Sequence, residues 1–253
     1  MAKLKLGVQL YSVRHYVEKD MPGTLKKMAQ IGYEGVEFYG GFFWPADEVK
    51  KAADDAGLAV TGWHVPFTAI DKPQIYATIE YAKKIGMKTI CVPGLPAEMT
   101  CSADAWRETA KKFSEAAAIL AKAGITLGYH NHSAEFKAID GDDCAWDVFM
   151  KNTCPCVMGQ IDNGNALSGG GDALAMLKKY PGRAVTWHIK PYSLKDGFAT
   201  MIGEDSIDWK ATFDEIIAQN ATQWNIVEYE CAEKYDEIEG VRLCCERIRE
   251  MGY

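Results

Sequence analysis

Imidazoles and carboxylates recur in this sequence just beyond short apolar runs, and that recurrence is the pattern best suited to chemistry. Gln9 follows Leu6-Gly7-Val8, Glu37 follows Gly35-Val36, His64 follows Trp63, and His130 with His132 follows Leu127-Gly128-Tyr129. Asp162 comes after the run 157–161, His188 with Lys190 ends the run from 183, and Glu228 with Glu230 ends the run from 225. Of the five histidines, only His15 stands outside this series. If each run is a strand, its period of two puts His130 and His132 on one side, and likewise pairs His188 with Lys190 and Glu228 with Glu230. Such groups gathered away from water need a compensating partner. A divalent cation supplies one. A nitrogen and oxygen donor set without thiolate suits Mn²⁺ first, then Co²⁺, Fe²⁺, Zn²⁺ or Mg²⁺ in that order of expectation. The competing reading is a hydrogen-bonded network without an ion, in which Gln9 is a cap or core group and Glu37 and His64 are satisfied buried side chains.

The elements that must position these residues are eight strand-helix units. Near-continuous apolar runs at 6–10, 35–39, 58–63, 88–92, 125–130, 157–161, 183–189 and 225–228 read as parallel strands covered on both faces. Amphipathic helices are expected at 22–30, 45–56, 72–85, 103–123, 144–151, 172–179, 208–218 and 235–249. Gln30-Ile31-Gly32-Tyr33, Asp55-Ala56-Gly57-Leu58, Lys84-Ile85-Gly86-Met87 and Lys122-Ala123-Gly124-Ile125 share one form: helix end, glycine cap, apolar entry to a strand. The fold expected is a (β/α)8 TIM barrel forming one domain, 1–253, with catalytic groups at the C-terminal ends of its strands. A doubly wound sheet binding NAD is disfavoured, because Gln9-Leu10-Tyr11-Ser12-Val13-Arg14 stands where a Gly-x-Gly-x-x-Gly turn is needed.

Composition narrows the partners. The net charge of −7 and the scattering of Lys and Arg among acidic residues argue against nucleic acid or an anionic membrane. No run approaches the roughly 18 apolar residues of a membrane span. Met1-Ala2-Lys3 leads directly into the first strand without the apolar stretch of a leader, and the eight cysteines are not disulfide-dense, so a cytoplasmic protein is expected. Cys154-Pro155-Cys156 and Cys244-Cys245 read as ordinary thiols. Oligomeric state is left open. Gly169-Gly170-Gly171 is read as opening the helix after strand six, where it could hold an anion, form a lid or be a plain turn. Trp63, Trp187, Phe42, Phe43 and Trp44 divide between sugar-stacking walls and core.

Several motifs are shared with a known family. They are Gly7-Val8-Gln9-Leu10-Tyr11-Ser12-Val13-Arg14, Gly32-Tyr33-Glu34-Gly35-Val36-Glu37, Tyr129-His130-Asn131-His132-Ser133-Ala134-Glu135-Phe136, His188-Ile189-Lys190, Gly203-Glu204-Asp205-Ser206-Ile207-Asp208-Trp209 and Ile226-Val227-Glu228-Tyr229-Glu230. Through them the chain resembles, over nearly its whole length, the sugar phosphate isomerase/epimerase family of xylose isomerase-like barrels, related in fold to endonuclease IV. The resemblance implies a metal held by a strand-five carboxylate and by Asp162, His188 and Glu228. Here His130 stands at the strand-five position with Glu135 just beyond, and His130 is the preferred fourth ligand. It also implies an isomerase or epimerase that abstracts a proton next to a metal-bound carbonyl through an enediolate. The expected roles are Glu228 or Glu135 as base, His132 and Lys190 as proton carriers, and Glu37, His64 and Trp187 as substrate contacts. Pro191 follows Lys190 where the family commonly has Asp. The alternative activity is a lyase that expels a β-oxygen from a 3-keto sugar, 3-keto glycoside or keto-inositol, and a non-catalytic sugar-binding protein stands behind both. Endonuclease chemistry is disfavoured by too few His and Asp ligands and by the acidic charge.

Overall fold

The computed structural model describes residues 3–141 and 143–253. Met1 and Ala2, where the leader reading begins, lie outside the described residues. Eight parallel strands run β1 Leu6–Gln9, β2 Gly35–Tyr39, β3 Ala59–His64, β4 Thr89–Val92, β5 Thr126–His130, β6 Met158–Gln160, β7 Thr186–Ile189 and β8 Trp224–Val227. Each pairs with its chain neighbours from β1 through β6, and β8 pairs with both β7 and β1. Between β6 and β7 the ladder shrinks to one bridge, Asp162 to His188, helped by His188 N–H donating to the Ile161 carbonyl at 2.9 Å and Gly159 N–H to that of Arg183 at 3.0 Å. That bridge closes the ring and places two of the expected ligands side by side.

Both faces of the strands are buried, as their apolar runs require. Outward residues pack against helices α1 Met21–Ile31, α2 Ala46–Ala56, α3 Gln74–Ile85, α4 Ala103–Ala121, α5 Ala145–Asn152, α6 Ala173–Lys179, α7 Trp209–Gln219 and α8 Glu237–Glu250. Phe113 and Phe149, 5.0 Å apart edge to face, illustrate the layer between β5 and its helices. Each fully buried side chain of this size contributes about 2 to 3 kcal/mol of transfer free energy. The glycine phrases behave as expected: Gly32, Gly57, Gly86 and Gly124 all take left-handed φ, between 70° and 112°.

The structure departs from the sequence reading in several places. Among the described residues, two additional short α-helices, Arg14–Lys19 and Asn163–Ser168, four single-turn 3-10 helices and a hairpin of Ala138–Asp140 with Asp143–Cys144 occupy loops. Gly169 ends the helix Asn163–Ser168 instead of opening the next one. A Cβ at Gly169 would strike the Ser133 backbone, and one at Gly171 the Phe136 ring, so the run serves close packing against the β5 loop. Cys154 and Cys156 are joined by a disulfide, correcting the thiol reading for that pair. Their loop is clamped by Arg183, whose guanidinium donates to the Val157, Met150 and Cys154 carbonyls, and the two Cα atoms stand 5.2 Å apart, within bridging range. Cys244 and Cys245 are free and buried. No helix among the described residues is long and apolar enough to cross a membrane.

Candidate metal centre

Alternation along the strands turns Gln9, Glu37, His64, His130, Gln160 and His188 into the barrel, where all are buried. Asp162 sits just past β6 as the N-cap of Asn163–Ser168, its Oδ1 accepting the Asn165 N–H at 2.7 Å. Glu228 follows β8 directly. His130, Asp162, His188 and Glu228 each bring one ligand atom into a group whose members all lie within 4.8 Å of one another.

A cation fits this group. Asp162 Oδ2 is buried and has no hydrogen-bond partner among the described residues, which for a carboxylate oxygen away from water is costly unless an ion occupies the place. Burial pushes the Asp162 carboxyl up to about 7. Burial would raise Glu228 too, but Lys190 and His188 outweigh it and hold that carboxyl well below the usual range. His188 Nδ1 lies 2.6 Å from Glu228 Oε2 and its Nε2 2.7 Å from Glu37 Oε2. Burial alone would lower this imidazole, yet Glu37 and Glu228 raise it to about 10. His130 is held well below the ordinary imidazole value by burial, reinforced by His188 and His64. The set is two carboxylates and two imidazoles with no thiolate, which suits a divalent ion.

Above the group opens a cavity of about 520 Å³ whose walls include Tyr11, Tyr39, His64, His132, Glu228 and Glu230. The family described as the xylose isomerase-like TIM barrel matches residues 25–251. The chain belongs to the xylose isomerase-like TIM-barrel family. A sugar phosphate isomerase/epimerase from Parabacteroides distasonis is similar at 27% identity over 98% of this chain and 94% of that one, with a TM-score of 0.81. An inosose dehydratase from Lactiplantibacillus plantarum is 28% identical over 143 residues, 49% of this chain and 47% of that protein, so the match spans about half of its length. A 3-keto-D-glucoside 4-epimerase from E. coli shares the fold, at 18% identity and a TM-score of 0.72 over 98% of this chain and all, 100%, of that one. Proteins similar to this chain or sharing its fold therefore include enzymes named as epimerases and as a dehydratase.

Within this family member the remaining residues divide. Lys190, just beyond β7, reaches Glu228 Oε1 at 3.2 Å and is also paired with Glu230. Burial would lower its ammonium, but Glu228, Asp162 and Glu230 raise it above the ordinary lysine value. His132 shares the cavity with Glu228, and burial lowers its imidazole from the usual value. Glu135 is turned away: Oε1 accepts from the Tyr129 hydroxyl at 2.6 Å and Oε2 from the His132 N–H at 2.8 Å. Both oxygens brace the β5 loop, so the geometry brings His130 into the ion group and leaves Glu135 out of it.

Trp187 does not meet the cavity. It faces the helix layer, fully buried, its indole N–H donating to Asn163 Oδ1 at 2.5 Å. Trp63 likewise stacks on Phe38 at 4.5 Å between centroids, Phe42 stacks on Tyr81 at 4.2 Å, and Phe43 is exposed. The neighbour of an inward strand residue must point outward, and that alternation excludes Trp63 and Trp187 once His64 and His188 face in. Glu37 lies beneath the ligand group and not at the rim. Gln160 was missed by sequence reasoning, although its place two residues before Asp162 on β6 assigns it an inward direction.

Proposed function

We propose that this protein is a divalent-metal enzyme that removes a proton from the carbon beside a carbonyl of a keto sugar or keto polyol, and thereby isomerises or epimerises it. The observation carrying the reading is the unpartnered Asp162 Oδ2 within the group of His130, Asp162, His188 and Glu228. Mn²⁺ is the ion we assign first, followed by Co²⁺, Fe²⁺, Zn²⁺ and Mg²⁺. Bound there, such an ion supplies Lewis acidity toward a carbonyl oxygen, which lowers the pKa of the adjacent C–H. Glu228, held ionised by Lys190 and His188, is the base at that carbon. Lys190 keeps it oriented through the contact at Oε1. His132, neutral on the cavity wall, passes a proton to or from a substrate oxygen, and His64 contacts substrate from the opposite strand.

Loss of a β-oxygen substituent is the second reading, and the position of Glu135 favours it. With both oxygens of Glu135 engaged and Glu230 on the cavity wall paired with Lys190, no carboxylate besides Glu228 among the described residues stands ready to return a proton to the other face of the sugar. One base and a neighbouring imidazole suffice for elimination, and the similarity to a protein named inosose dehydratase points the same way. Turnover of keto sugars and keto-inositols in D₂O with added Mn²⁺ separates the two: deuterium in a rearranged sugar supports isomerisation or epimerisation, and an unsaturated product supports elimination. Tight binding with no proton exchange would mark a binding protein. Unchanged turnover in a folded Asp162→Ala variant would refute both catalytic readings.

A further inference from the structure

We propose that Glu37 and Gln160 form a buried relay that sets which ring nitrogen of His130 and of His188 carries the proton, and hence which lone pair each histidine presents to the ion. The inference rests on reading the four-residue group as a metal site, but its first half concerns the protein alone.

The relay follows from acceptor and donor counts. An ionised carboxylate only accepts hydrogen bonds. Glu37 is buried and accepts from three donors, Gln9 Nε2 at 2.8 Å, Gln160 Nε2 at 2.8 Å and His188 Nε2 at 2.7 Å, with His64 Nε2 a further 3.1 Å neighbour. Facing that acceptor, the Gln160 amide must turn its NH₂ toward Glu37, and the second N–H goes to Thr186 Oγ1 at 2.8 Å. The amide oxygen is then committed to the other side, where it meets His64 Nε2 at 2.6 Å and His130 Nδ1 at 3.2 Å. An amide oxygen only accepts, so both nitrogens must donate. A neutral imidazole with its proton on Nδ1 keeps its lone pair on Nε2, and the ligand form of histidine is neutral. His130 thus offers Nε2. His188 spends Nε2–H on Glu37 and offers Nδ1, the nitrogen 2.6 Å from Glu228 and 3.9 Å from Asp162.

The barrel is shaped to admit this relay. A side chain at Gly62 would bring its Cβ to 3.0 Å from Glu37 Oε1 and 2.8 Å from Thr89 Oγ1, so the β3 backbone leaves the room that the Glu37 carboxylate occupies. The β2–β3 register also shifts between Val36 and Glu37, skipping Thr61 so that Gly62 stands opposite the glutamate. Glu37 and Gln160 are positioning residues, acting on the ion through two histidines.

Long-range ¹H–¹⁵N imidazole spectra of ¹⁵N-labelled protein, chelator-treated and then loaded with diamagnetic Zn²⁺, test this directly. The expected result is a proton on His130 Nδ1 in both states, and on His188 Nε2 with Nδ1 unprotonated after Zn²⁺ addition. In Glu37→Gln the new amide can face Gln160 either way, releasing it to turn. His130 then loses its preference for Nδ1–H, and Zn²⁺ affinity by chelator competition falls about 10- to 100-fold. A proton on His130 Nε2 in the wild type overturns the relay. So does a folded Glu37→Gln variant with unchanged tautomers and Zn²⁺ affinity. If that variant does not fold, the wild-type spectra decide alone. A Nδ1–H signal at His130 together with no Zn²⁺ binding would uphold the relay while sinking the metal reading.

Discussion

Replacing Asp162 with Asn should stabilise the metal-free protein and destabilise it, relative to wild type, once metal is present. A carboxyl held at about 7 in the folded chain instead of its ordinary 3.8 costs that state, when ionised, on the order of 4 kcal/mol. The folded form keeps a proton that the unfolded form has released, so Asp162 makes chelated wild type lose stability as pH rises from about 4 to about 7, on top of the loss above about 6.5 that His188, raised to about 10, gives wild type and variant alike. Asn removes the Asp162 slope while keeping an oxygen for the Asn165 N–H, and it caps helices as well as Asp does. Its unpaired NH₂ returns roughly 1 to 3 kcal/mol of the gain, which leaves the variant about 1 to 3 kcal/mol more stable at pH 8 in chelator. Metal at about 1,000 times its Kd stabilises wild type by about 4.1 kcal/mol and stabilises the variant far less, reversing the order. Urea unfolding followed by tryptophan fluorescence from pH 5 to 8, with chelator and with Mn²⁺, reads all of this. Parallel pH profiles in chelator, or equal stabilisation of both proteins by Mn²⁺, would refute the reasoning.

Metal binding should displace protons from Asp162 and His188, which sit at about 7 and about 10. Calorimetry in buffers of different ionisation enthalpy should find about two released at pH 6 and about one at pH 8, and a pH-independent number would contradict the assignment. Gly62→Ala forces a Cβ against Glu37 and Thr89. It should cost about 1 to 3 kcal/mol in urea unfolding and weaken Mn²⁺ binding, whereas unchanged stability would deny that the space is needed. Trp187→Phe removes the bond to Asn163 and should lower stability by about 1 kcal/mol with no change in KM for a keto sugar; a raised KM would return Trp187 to the substrate site.

The fold was legible because its signals are local and repeated: apolar runs, glycine caps and the shared motifs each recur at strand-helix spacing. That His188 shares a strand side with Lys190, and Glu228 with Glu230, follows from the period of two, while the pairing of Asp162 with His188 and of Lys190 with Glu228 emerges only in the closed barrel. Residue type misleads where strand position does not: Trp187 is one residue from His188, so the period of two sends it into the helix layer, although an aromatic beside the mouth reads as a sugar contact. Glu135 is three residues from His132, and a single turn of backbone brings it onto the His132 N–H, a local closure that residue types alone do not distinguish from a reach toward the ion. Gln160 carries no charge and so gave no signal, although three buried groups, Glu37, His64 and His130, are organised by its amide.

His130, at the place where the resemblance implies a carboxylate, changes the balance of the mouth. A third acidic ligand would stand beside Asp162 and Glu228, with Glu37 behind them, and two like charges about 4 Å apart repel by about 4 kcal/mol at an effective dielectric constant near 20. A neutral imidazole avoids that repulsion. Fewer anionic ligands also leave more of an ion's charge for a substrate oxygen, which favours proton removal from the neighbouring carbon. The same exchange removes a carboxylate that could act as a second base, and Glu135 is held too firmly by Tyr129 and the His132 N–H to replace it. Stronger polarisation with one carboxylate base is the combination that elimination needs. Two-faced proton exchange has to recruit His132 instead, so the fate of deuterium in a His132→Gln variant separates the two proposed reactions: loss of deuterium from a rearranged sugar supports exchange through His132, and an unsaturated product still formed supports elimination.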